Sequence, residues 1–200
     1  MADASADWAD LLRADRECTR ARVRMAPGNS AADVAAGRAD LVQAEQDYAR
    51  CLGRLLAGDP TEVLRHGLST KTRHTQDDRR VAVHVVFEAE GLHLDVIRRL
   101  LPELFELSLA VHWISVRMWK VIGQLDPHDL VEDLTPLVAA FLADPERDAS
   151  EYWGAIGLAH QVRLVPLADL LMDAARRSPD PEIRGAAEGW HYPENDAAES

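Results

Sequence analysis

Apolar side chains recur every three to four positions along most of this chain, and runs of strand-like alternation are nearly absent. That spacing places them on one face of an α-helix. The first stripe is Leu11, Ala14, Cys18, Ala21 and Met25, in a segment that Ser5 can cap and that must end before Pro27-Gly28. The second is Val34, Gly37, Leu41, Ala44, Tyr48, Leu52 and Leu55. It predicts a helix over 31–57, with Asn29 or Ser30 as its cap and Gly58 as its stop. Together these segments predict an N-terminal helical hairpin over 1–58. A turn at 26–30 would set Cys18 opposite roughly residue 38, far from Cys51.

Beyond the hairpin the punctuation is regular. Asp-Pro occurs at 59–60, 126–127, 144–145 and 180–181. Each pair is a chemically sound helix start, because Asp accepts from the free first-turn N–H groups and proline at the first helical position loses no hydrogen bond. Amphipathic segments follow at 60–68 and 77–90, 94–108 and 111–124, 128–143 and 147–159, and 163–177 and 181–190. The last ten residues, HYPENDAAES (191–200), form a polar tail.

These segments repeat one another. Residues 100–123, 134–157 and 164–190 each open on Leu-x-Pro and close on Ile-Gly or Gly-Trp. Pro102 and Pro136 are 34 residues apart, as are Trp119 and Trp153, Ile122 and Ile156, and Gly123 and Gly157, and Pro166 follows Pro136 after 30. A period in the thirties with two helices per period predicts stacked helix pairs, since one pair alone cannot bury its apolar face. A non-repeating helical bundle is the alternative.

DPEIRGAAEGW (180–190), ISVRMWKVIG (114–123) and, more loosely, DDRRVAVHVVFEAEG (77–91) carry a resemblance to HEAT repeats. Bulky Trp119 and Trp153 depart from that pattern, and so does Asp148 where an apolar residue is usual. The resemblance implies an all-α fold: the N-terminal hairpin as a cap, then about four HEAT-like helix pairs over 59–190 in a short right-handed α-solenoid. Fold alone does not fix function; HEAT-like hydroxylases and DNA glycosylases exist, but this chain lacks adjacent His-Glu dipeptides and a basic groove, so binding of another protein is expected by analogy.

Composition narrows the partner. Acidic side chains outnumber basic ones 34 to 22, and the deficit lies beyond residue 80, where 21 acidic face 9 basic. That sign repels phosphate backbones and argues against nucleic acid. No stretch is long and apolar enough for a membrane span, and the N-terminus lacks a signal-peptide layout, so a cytoplasmic protein is expected. Cys18 and Cys51 read as small buried apolar groups rather than a disulfide.

Candidate chemistry is sparse. Of eight histidines, the densest grouping is HVVFEAEGLH (84–93), where His84 and Glu88 share a helix face. Its plain reading is a surface pair; an enzyme or lyase-like subunit with a small-molecule or metal site near His84, Glu88 and His112 is the rival. No phosphate loop, nucleophile elbow or clustered metal ligands appear, and neither a catalytic residue nor a cofactor is expected. Surface recognition remains. Trp119 and Trp153 read as core fillers, whereas Trp113 and Tyr152 suit a partly exposed contact, with Arg117 beside Trp113. Glu132, Asp133, Glu146, Asp148 and Glu151 would surround it with negative charge. The expected partner is a basic protein or peptide bound on an acidic concave face, in an inhibitor- or immunity-type role. Arg13, Arg16, Arg20 and Arg24 line one face of the first helix. They are either a solvated face or a docking strip for another copy, the third reading being self-assembly.

Overall fold

The computed structural model describes residues 4–69, 76–88, 92–109 and 113–189, and within them every regular element is an α-helix. Two compact units divide the chain, Met1–Val96 and Ile97–Ser200.

The first unit is built on an antiparallel hairpin of α1 (Ala4–Arg24) and α2 (Ala31–Ala57). Its turn resolves the choice of cap. Asn29 donates to the Val23 and Arg24 carbonyls, closing the end of α1, while Ser30 accepts from the Asp33 N–H and opens α2. Gly28 takes φ +99° there, a conformation that side-chain-bearing residues rarely adopt. The α1 stripe is buried at Leu11, Ala14, Cys18 and Ala21, as the periodicity predicts. The register across the hairpin differs from the expectation: Arg22 pairs with Glu45 and Arg24 with Asp40, so Cys18 faces Glu45 rather than residue 38. Cys18 and Cys51 are both buried and unbridged.

Two short helices complete this unit, α3 (Thr61–Leu68) and α4 (Gln76–Glu88), packed on each other and on α1. Leu11, Leu55, Leu64, Leu68, Val81 and Val85 are sealed from solvent. Ionic clamps tie the helices together. Arg54 of α2 reaches both Asp7 and Asp10 of α1 at 2.8 Å, and Arg80 of α4 grips the buried Asp15 carboxylate through both guanidinium nitrogens.

A short helix, α5 (Leu94–Arg99), carries the chain across the boundary. The second unit then contains α6 (Leu101–Leu109), α7 (Trp113–Ile122), α8 (Pro127–Ala143), α9 (Ala149–Gln161), α10 (Val165–Arg176) and α11 (Pro181–Glu188). Their packing follows two rows: α8 touches both α6 and α10, and α9 touches both α7 and α11. The rows meet where α6 packs on α7 and α9, and α10 on α9 and α11. Where α9 crosses α6, Gly154 is indispensable, because a Cβ built there would lie 1.9 Å from the Leu109 carbonyl oxygen.

Two further sequence expectations require correction. The single helix expected over 94–108 is interrupted at Leu100, because Pro102 has no N–H to continue the ladder and its ring crowds the preceding turn. Asp144-Pro145 does not start a helix: Asp144 ends α8, and Asp148 opens α9. Asp148 and Glu151 form a reciprocal capping box, each side chain accepting from the other's backbone N–H. The acidic residue out of place in a HEAT pattern is thus a helix start. Asp126-Pro127 and Asp180-Pro181 do open α8 and α11.

Among the described residues no helix is long and apolar enough to cross a membrane.

Candidate functional site

The eight residues expected to form a binding face all belong to the second unit, on three pieces of local structure. Trp113 and Arg117 lie one turn apart on α7, with the guanidinium 5.0 Å from the indole centroid. Trp113 is 60% exposed and Val116 45%. Lys120 continues the same face, at the i, i+3, i+4, i+7 spacing of one helical stripe. The opposite side of α7 is buried through Ser115, Met118, Val121 and Ile122, so a large aromatic points outward from a well-anchored helix.

The acidic candidates are mostly engaged. Asp133 and its neighbour Asp129 bracket Arg98 at 2.6 and 3.0 Å. Glu151, besides its capping role, pairs with Arg147 at 2.8 Å. Arg147 also meets Glu106 at 3.0 Å and Asp144 at 3.1 Å, and lies over the Phe141 ring. Burial works against that guanidinium's charge, but the hydrogen bonds to Glu106 and Glu151 outweigh it and its pKa is raised. Asp148 is held below the usual carboxylate range by the Ser150 hydroxyl and the Glu151 N–H. Glu132 and Glu146 are exposed.

Tyr152 belongs more to the core than expected. Half-buried, its ring stands 4.9 Å from that of Phe141 and packs against the cluster of Ala175, Ile183 and Ala187, and burial pushes its phenol up. Trp119 and Trp153 are half-buried; Trp119 donates its indole N–H to the Ser108 carbonyl at 3.1 Å. Trp190 and His191 lie outside the described residues.

The arginine strip on α1 is solvated and largely neutralised. Arg13 pairs with Asp10, Arg20 with Glu17 and Arg24 with Asp40, while Arg16 makes no ion pair among the described residues. Arg20 and Arg24 border a cleft of about 340 Å3 between α1 and α2, floored by Ala21 and Ala44. Exposed pairs of this kind contribute roughly 0–1 kcal/mol each.

The rival histidine site gains a partial counterpart. His84 meets Glu88 at 3.2 Å on α4, whereas His112 lies outside the described residues. Across the unit interior the His84 ring tilts toward Tyr48 of α2, 6.1 Å between centroids. His84 and Tyr48 line a second cleft of about 110 Å3 with Asp15, Cys18, Arg22 and Glu45. Asp15 and Cys18 are buried, and so is the Tyr48 hydroxyl, which has no hydrogen-bond partner among the described residues. Burial, then the Asp15 charge, raise the phenol's pKa, and burial raises that of the Cys18 thiol. Tyr48 was legible in sequence only as one member of an apolar stripe. Asp15 gave no local signal, because its partner Arg80 is 65 positions away.

No group of three or more His, Cys, Asp or Glu side chains among the described residues is arranged to hold a metal ion. Comparison of the chain with protein families, with curated proteins and with solved structures returned no match.

Proposed function

We propose that this chain is a non-enzymatic docking protein whose second unit binds a partner protein of net positive charge through the outward face of α7. The observation that carries this reading is Trp113, 60% exposed on a helix whose other side is anchored in the core, with Arg117 stacked on it. Tryptophan and arginine are among the residue types enriched at interface hot spots, and a cation over an indole face adds attraction. Val116 extends the apolar contact by one turn.

Charge supports the sign of the partner. From residue 97 onward, 18 acidic side chains face 9 basic ones, an excess that speeds encounter with a positive surface. Arg117 and Lys120 make the α7 face locally basic, so the partner's contacting patch is apolar or acidic and its positive charge lies around it. The packing of α6 on α7 and of α10 on α11, with Leu-x-Pro at the start of α6 and α10 and within α8, supports a HEAT-like stack as the scaffold, although α8 and α9 do not pack as such a pair.

The test is affinity purification from the native host with the full chain, wild type against Trp113→Ala, at low and high salt, quantified by mass spectrometry. The expected result is a basic protein retained at low salt, reduced at high salt, and depleted at least tenfold by the substitution, consistent with a loss of about 1.4 kcal/mol or more. Equal recovery by wild type and variant would contradict the reading.

A further inference from the structure

The outer edge of α2 carries no charge over five turns, although a solvated helix face is normally charged. Ala32, Ala35, Ala39, Val42, Gln46 and Ala49 recur there at alternating spacings of three and four, and all are exposed, Val42 to 58%. That is the heptad spacing with which one helix lies along another. The opposite edge, through Gly37, Ala44 and Cys51, is buried. Asp40 and Arg54 turn toward α1, where they pair with Arg24 and with Asp7 and Asp10, which leaves the outer edge bare.

The order of residues along this edge is self-complementary. With two copies of α2 antiparallel about a two-fold axis between Ala39 and Val42, Ala32 faces Ala49, Ala35 faces Gln46 and Ala39 faces Val42 of the second copy. Each larger side chain then meets an alanine, so the layers interdigitate. A parallel pairing would set Val42 on Val42 and Gln46 on Gln46. Charge selects the same register, because it places Arg38 beside the second copy's Glu45 on both sides of the axis. Arg38 is exposed and makes no ion pair among the described residues, and Glu45 is engaged by Arg22 at a long 3.4 Å. The other flank sets Ala36 against Gln43, with no like charges opposed. The hairpin is also where two copies repel least. Residues 1–58 hold 9 acidic and 8 basic side chains, against 25 and 14 in the rest of the chain.

We infer that the outer edge of α2 is a docking surface for a second copy of this chain, forming a two-fold antiparallel helix pair with Arg38 and Glu45 exchanged across it. The contact runs for about 25 Å along each helix, from Ala32 to Ala49, with the α1 of each copy on the outside. A single helix pair of this length is a small interface, so the dimer dissociates in the micromolar range or above. The arginine strip of α1 takes no part in it, and the contact is independent of the α7 docking reading.

Sedimentation equilibrium of the full chain, from micromolar to submillimolar concentration, is the test. A reversible monomer–dimer equilibrium that stops at the dimer is expected, because a two-fold contact closes on itself. Val42→Glu sets a charge on each side of the axis, and Arg38→Glu or Glu45→Arg turns both flanking pairs repulsive. Each should weaken the dimer at least tenfold. An equimolar mixture of Arg38→Glu and Glu45→Arg should associate again, since every flanking pair is then of opposite sign, and a folding defect would not be rescued by mixing. Four results would overturn the assignment: a monomer at every concentration; growth beyond the dimer; undiminished association by Val42→Glu; or a mixture no more associated than either variant alone.

Discussion

At the residue scale, the positions that matter most are those where geometry leaves a single solution. Gly154 lets α9 approach α6 until a Cβ would overlap the Leu109 carbonyl, and backbone cannot step aside as a flexible side chain can. Gly154→Ala should therefore destabilise the protein by about 3 kcal/mol or more, measured by urea unfolding. His160 makes a pH-dependent contribution. Burial holds its imidazole below the usual 6.5, so the folded chain stays neutral at pH values where the unfolded chain takes up a proton. Above that value both forms are neutral and the group contributes no pH dependence; as the pH falls below it, unfolding is favoured. Wild type should lose more stability between pH 7 and pH 5 than His160→Gln, as read from denaturant midpoints at each pH. Neither residue stood out in the sequence. A glycine required for close approach looks the same as any helical glycine until the facing backbone is known. Asp148 is different, since Asp148 and Glu151 stand three apart, the capping-box interval.

At the element scale the sequence was read most successfully where local chemistry decides. The second helix was expected over 31–57 and is Ala31–Ala57, because Ser30 and Gly58 mark ends that depend on nothing distant. Prolines were harder to read. Pro102 separates α5 from α6, yet Pro136, one period later, lies inside an unbroken α8. There the Thr135 hydroxyl donates to the Val131 carbonyl at 2.6 Å, while the helical bond that Pro136 itself cannot make is the one to the Glu132 carbonyl. Because Pro136 is exposed, Pro136→Ala should raise stability by about 2 kcal/mol, less whatever chain entropy the proline removes from the unfolded state. Chemical denaturation compares the two proteins directly.

At the scale of the whole molecule, the all-helical class was legible from periodicity, and the acidic excess from counting. The arrangement of site residues was not. Asp133 and Glu151 looked available in sequence, but Arg98 and Arg147 occupy them through contacts 35 and 4 positions away, and only three-dimensional packing brings the first pair together. Trp113 could be judged exposed only once the buried side of α7 was known. The docking account consequently rests on one face of one helix, and a position-specific contact is its most direct test. A photo-crosslinking amino acid placed at Val116 in the native host should capture a discrete basic partner, while the same group at the comparably exposed Val42 of α2 should not. Capture that Trp113→Ala abolishes is the predicted result. No adduct from position 116, or the same adducts from both positions, would contradict the account.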